Sequence, residues 1–244
     1  VFDRRSPGGK RGRLPPDVDV TSGQVGDAER EAEASPEPKA LRDRRQPNKT
    51  PDRERSVGEL DERAAADATR RWVSAMVVGL NLCPFARRVS DAGRVRYAVT
   101  AAADGGALLA ALSGELRLLA ASPRADVETT LLIHPRALPA FLDYNDFLPE
   151  ADRLVRDLGL RGVIQIAGFH PLYRFAGTSP DAAENYTNRS PHPMLHLIRE
   201  ESITEVAGDP AALAAIPRRN VATLRDLGRA EILARLRAAI DPAD

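Results

Sequence analysis

The sequence predicts an α/β domain: a small, mainly parallel β-sheet with α-helices on its faces, preceded by a disordered N-terminal tail. Three observations predict it. Short β-branched runs alternate with longer amphipathic ones after residue 64, the order expected when helices cross over between strands. Residues 1–62 carry 13 Lys/Arg, 14 Asp/Glu and seven prolines among few large apolar side chains, so burial there cannot offset chain entropy. Residues 64–244 hold every aromatic except Phe2, the only cysteine and all four histidines. The expected division is a charged, Pro-rich tail over 1–62 and one domain over 63–244.

Each element follows from its pattern. Trp72, Val73, Met76, Val77 and Leu80 share one helical face, which predicts a helix over Ala64–Leu82 that stops before Pro84. Arg94–Thr100 alternates and reads as a strand. Gly105–Ala121 is rich in Leu and Ala and reads as a helix. Val127–Ile133 is a second strand, stopped by His134-Pro135. Leu138–Leu158 is helical with a break expected at Pro149, and Gly162–Gly168 is a third strand. A polar loop over Phe169–Pro193 precedes a helix over His196–Val206. Pro217 opens a further helix, Gly228 caps it, and a last helix runs to Ile240. In parallel sheets ligands bind outside the carboxyl ends of the strands, which here carry Thr100, His134 and His170.

Composition excludes several chemistries. Lys+Arg and Asp+Glu are both 35, a balance that argues against a nucleic-acid partner. The three lysines are Lys10, Lys39 and Lys49, so the domain has no Schiff-base or P-loop lysine. One cysteine excludes an internal disulfide and a multi-cysteine metal site. No apolar run reaches 18 residues, so no membrane partner is expected. The opening Val-Phe-Asp-Arg-Arg leads into no apolar segment of signal-peptide type.

The stretches LNLCPFARRV (80–89), GFHPLYRFAGTSPDAAENYTNRSPHPMLHLIREESI (168–203) and IPRRNVATLRDLG (216–228) resemble the bacterial domain-of-unknown-function family 1415. The resemblance spans roughly residues 64–227 and implies a bacterial, cytoplasmic protein. It implies no reaction, cofactor or substrate. His192 stands where the family pattern has Tyr, which weighs against His192 as an essential ligand.

The candidate chemistry gathers on few residues. His170 follows the third strand and suits general acid–base work. Cys83 lies just past a helix end, a place that does not lower a thiol pKa unless a His or Arg comes near. It is either a nucleophile or a buried small apolar residue. Tyr173–Ser190 is the densest polar segment of the domain. Its Arg174 and Arg189 suit an anionic group, and Asn185, Tyr186, Asn188 and Ser190 suit orientation of a substrate. The alternative is a loop that caps itself over the sheet edge. His192 and His196 stand at i, i+4, with His196 able to reach back toward the loop. Asp143 and Asp146 read as a solvated helix face.

Three readings stay open. The first is an enzyme acting on a small polar or anionic substrate, with His170 and Cys83 catalytic and Arg174, Asn185, Tyr186, Asn188, Arg189, Ser190 and His196 binding. The second is a non-catalytic ligand- or partner-binding module. The third is a haem- or metal-binding protein using Cys83 or the histidines. The sequence specifies no cofactor and no oligomeric state.

Overall fold

The computed structural model describes residues 50–207 and 210–241. Helix α1 (Thr50–Trp72) continues into a π-helical stretch, Val73–Val78, followed by a turn and α2 (Ala86–Asp91). Then come β1 (Val95–Val99), α3 (Gly105–Ala121), β2 (Thr129–Ile133), α4 (Phe141–Asp157) and β3 (Ile164–Phe169). A 3₁₀ turn, Ala183–Thr187, precedes β4 (Met194–Arg199), α5 (Glu200–Ala207), α6 (Pro210–Leu227) and α7 (Arg229–Ile240). Helix α1 begins inside the stretch expected as a tail; residues 1–49 lie outside the described residues.

The strands form one four-stranded sheet in the order β1-β2-β4-β3. β1 and β2 are parallel, whereas β4 is antiparallel to both β2 and β3. The expected mainly parallel sheet is therefore a mixed one. The reason lies in β4. Residues 196–199, expected as the start of a helix, are strand, and the helix begins only at Glu200. Met194-Leu-His-Leu-Ile-Arg is buried on both faces, as a central strand must be, and a short apolar run does not reveal its period. β4 fills the gap between β2 and β3. Those two and β1 still run the same way, so Thr100, His134 and His170 share one edge of the sheet.

Helices cover both faces. Leu132, Leu195, Leu197 and Ile164 point to one face, where Leu108, Leu112, Leu116 and Leu119 of α3 and Tyr144, Phe147, Ala151 and Val155 of α4 pack. Leu131, Ile133, Met194 and Ile198 point to the other, against Trp72, Val73 and Met76 and against Leu224 and Ile232 of α6 and α7. Two expected punctuations do not occur. α4 passes through Pro149 without a break, because buried residues on both sides of it anchor the helix. Pro217 lies inside α6, which starts at Pro210.

Candidate functional site: an apolar cavity at the Cys83 turn

The edge with the three strand ends is packed tight. Tyr144 Oη accepts from Phe169 N (2.9 Å) and donates to Met194 O (2.9 Å). It thus bridges the last facing pair of β3 and β4, Phe169 and Met194. The ring lies between His134 (5.8 Å, stacked) and His170 (5.1 Å). Gly168 is required here, because a Cβ would sit 2.7 Å from Tyr144 Oη.

His170 is 1% exposed. Its Nδ1 accepts from Leu172 N (3.0 Å), so that nitrogen carries no proton. Its Nε2 then donates to Leu138 O (3.3 Å). Both ring nitrogens are engaged with backbone, and burial lowers the pKa. His134 Nδ1 donates to Ala137 O (3.0 Å), while its Nε2 is buried without a partner. Burial pushes that imidazole down to about 4.

The polar loop uses its groups on itself. Asn185 Oδ1 accepts from Phe175 N (2.9 Å) and Thr178 Oγ1 (2.8 Å), and its amide donates to Ser179 O (2.8 Å). Arg174 Nε donates to Thr178 O (2.9 Å), and Arg189 donates to Tyr173 O (3.2 Å) and Pro180 O (2.6 Å). The Arg189 guanidinium also lies 4.4 Å from the Tyr186 ring centroid. Asn188 amide donates to Gly168 O (2.9 Å), and Ser190 Oγ donates to His192 O (2.7 Å).

A different part of the expected set meets on the other side. A cavity of about 90 Å³ lies against the sheet face covered by α1 and the π-helical stretch. Trp72, Cys83, Phe85, Phe169, Thr129 and His196 are among its lining residues. The structure thus brings Cys83 and His196 to one cavity, and His170, Arg174, Asn185, Tyr186, Asn188, Arg189 and Ser190 are not in its lining. The sequence marks Trp72 only as part of an apolar helical face, and nothing in it marks Thr129, Glu128 or Ser202 as site residues. An alternating reading of Met194–Arg199 would have set His196 on one face with Met194 and Ile198, which is the available signal.

Local structure explains why the wall holds its shape. The Asn81–Phe85 turn needs a positive φ of 51° at Asn81, a conformation Asn tolerates. Arg219 donates to Asn81 O (2.8 Å) and Asn220 to Leu82 O (2.7 Å), so α6 clamps the turn. Cys83 is half-buried there, and burial pushes its thiol up to about 11. The thiol is therefore protonated at neutral pH and is a poor nucleophile.

The polar lining is sparse. Glu128 is 2% exposed and accepts from Arg94 (3.1 Å), Arg124 (2.8 Å) and Ser202 (2.6 Å). Burial opposes its charge, but these bonds outweigh burial and keep the carboxyl below its ordinary value. His196 Nε2 lies 2.8 Å from Thr129 Oγ1, and burial pushes this imidazole down to about 4. Among the described residues no three His, Cys, Asp or Glu side chains gather to hold a metal. His170 follows β3 and His196 lies within β4, each with its own partners.

A wider groove of about 440 Å³ does lie at the carboxyl ends of β1 and β2, lined by Thr100, Arg136, His192 and Asp61 among others. Its charges are solvent-exposed and of mixed sign: Arg136 lies 3.8 Å from Asp61, with both more than half exposed.

The three sequence stretches that carried the family resemblance meet at the cavity: Cys83 and Phe85 from the first, Phe169, His196 and Ser202 from the second, Ile216 from the third. Comparison with protein families agrees with this, because a family model described as protein of unknown function (DUF1415) matches residues 64–234. The chain belongs to the DUF1415 family. The DUF1415 region begins inside α1 and ends inside α7, so it takes in the whole sheet and every lining residue of the cavity. Neither a curated protein nor a solved structure matches the chain. Among the described residues no helix is long and apolar enough to cross a membrane.

Proposed function

We propose that this domain is a non-catalytic binding module for a small, largely apolar molecule held in the Cys83–His196 cavity. The observation that carries the reading is the cavity lining: mostly apolar side chains from several distant segments, with one neutral imidazole among a few polar groups already bonded within the protein. Apolar cavities stay dry and accept small apolar molecules, as an engineered cavity of about 150 Å³ does with benzene. The volume here favours an occupant smaller than that, or one admitted as the half-buried Cys83 turn moves. Three facts support binding over catalysis. The Cys83 thiol is protonated, both His170 nitrogens are tied to backbone, and the polar loop is internally bonded. In this reading Arg174, Asn185, Asn188, Arg189 and Ser190 build the loop that closes the sheet edge.

Trp72 is the only tryptophan and lines the cavity, so its fluorescence reports occupancy. Titration with the five-membered rings furan, thiophene and pyrrole should give a saturable change for at least one ring. Ala167→Val, which adds volume inside the lining, should weaken binding at least five-fold. No saturable change with any ring, or binding indifferent to Ala167→Val, rejects the reading.

A further inference from the structure

Resting on the proposed function, we infer that the occupant is a neutral molecule that donates one hydrogen bond to Nδ1 of His196. The protons at Thr129 fix the tautomer of His196. Thr129 Oγ1 has a single hydrogen, and it donates that hydrogen to Leu197 O at 2.6 Å. The 2.8 Å contact between Oγ1 and His196 Nε2 therefore has only one way to form. Nε2 carries the ring proton and Oγ1 accepts it. In a neutral imidazole the other nitrogen, Nδ1, is then a bare acceptor.

Nδ1 makes no hydrogen bond among the described residues. It is also not sealed in packing, unlike the unpartnered Trp72 Nε1 and His134 Nε2. His196 sits mid-strand, opposite Leu131 on one side and Ala167 on the other, and all three line the cavity. The strand pairing fixes the backbone and the Thr129 bond fixes the ring, so its direction is built into the sheet rather than left to a loop.

The other polar groups of the lining are already engaged in hydrogen bonds within the protein, Thr187 Oγ1 among them, which donates to Glu184 O (2.7 Å). Thr129 gives its proton to Leu197 O and accepts from His196 Nε2. Glu128 accepts from two arginines and from Ser202, whose single hydroxyl proton is thereby used. An anionic occupant would meet no free cation in this lining, because Arg94 and Arg124 are not part of it and both bind Glu128. A buried charge without a partner is strongly disfavoured. The chemistry selected is an apolar body with one N–H or O–H.

Pyrrole and furan decide the matter, since they match in ring size and differ in the group offered to Nδ1. Pyrrole presents an N–H; furan presents a lone pair that faces another lone pair. At pH 7.5 pyrrole should bind at least ten-fold tighter than furan in the Trp72 titration. His196→Leu should erase that preference, bringing the pyrrole-to-furan ratio to within about three-fold. The wild-type protein gives a second readout that no folding failure can remove. In ¹⁵N spectra of the histidine rings, the unprotonated Nδ1 of His196 should shift with pyrrole and not with furan. Equal binding of the two rings, or a protonated Nδ1 in the free protein, overturns the inference and leaves the binding reading standing. Failure of every ring to bind rejects the binding reading itself.

Discussion

Tyr144 illustrates how one side chain can close a sheet edge. Its hydroxyl takes the place of a direct bond between Phe169 and Met194, receiving from one and giving to the other. It is fully buried, and burial raises its pKa, so the hydroxyl stays neutral. Tyr144→Phe keeps the ring stack on His134 and His170 but strands a backbone N–H and a C=O. Each unmet buried group costs about 1–3 kcal/mol, so the variant should lose roughly 2–6 kcal/mol in urea unfolding. A loss below about 0.5 kcal/mol would mean that water replaces the hydroxyl without penalty. This role was only half legible beforehand. The apolar flanks of Asp143 and Asp146 correctly read as an amphipathic helix with both carboxylates exposed, but nothing in that spacing told which backbone groups the tyrosine would reach. The same holds for His170. Its position at a strand end was readable, whereas the two backbone atoms that occupy its nitrogens come from Leu138 and Leu172, on either side of β3 in sequence.

At the scale of elements, the clamp between α6 and the Asn81–Phe85 turn holds one wall of the cavity. Asn220 is fully buried and its amide holds Leu82 O, while Arg219 holds Asn81 O. Asn220→Ala should loosen the turn more than it alters the sheet, since no strand touches that amide in the hydrogen-bond pattern. Because Cys83 is the sole cysteine, a thiol reagent follows this directly. Its modification at pH 8 should accelerate at least ten-fold in Asn220→Ala, and furan binding should weaken. An unchanged rate would show that the turn is held by its own apolar packing. Most elements were visible in the sequence for plain reasons. α3 occupies the residues its Leu/Ala run predicted, with Asp104 accepting from Ala107 N at its start, and β1, β2 and β3 fall within a residue or two of the alternating runs. β4 was not, because Met194–Arg199 is apolar on both sides and His192 and His196 mimic a helical spacing. A fully buried strand and a buried helical turn look alike until the neighbours are known. β4 makes the sheet mixed and supplies part of the cavity wall.

Across the whole molecule, the histidines tie stability to pH in one direction. His134 is 0% exposed and its imidazole is held at about 4, first by desolvation and with a smaller contribution from nearby His170. His196 is likewise held at about 4 by burial. In the unfolded chain both return to about 6.5. Between those values the unfolded state binds protons that the native state does not, so acidification favours unfolding. The stabilisation is complete above about pH 6.5 and is lost as pH falls toward about 4, below which both states are protonated and the loss levels off. A shift of this size corresponds to about 3 kcal/mol for His134 alone, a large fraction of the 5–15 kcal/mol typical of a domain. Glu128 adds to the loss at the acid end, since its carboxyl is held below the ordinary value by Arg124 and Ser202. The urea midpoint should therefore fall steadily from pH 7 to pH 4.5, where free carboxylates are still mostly ionised. His134→Asn retains an amide N–H at the δ position for Ala137 O and carries no titrating ring. It should flatten that slope by roughly one proton's worth, whatever its stability at pH 7. A slope in the variant equal to that of the native chain would place the acid sensitivity in other groups.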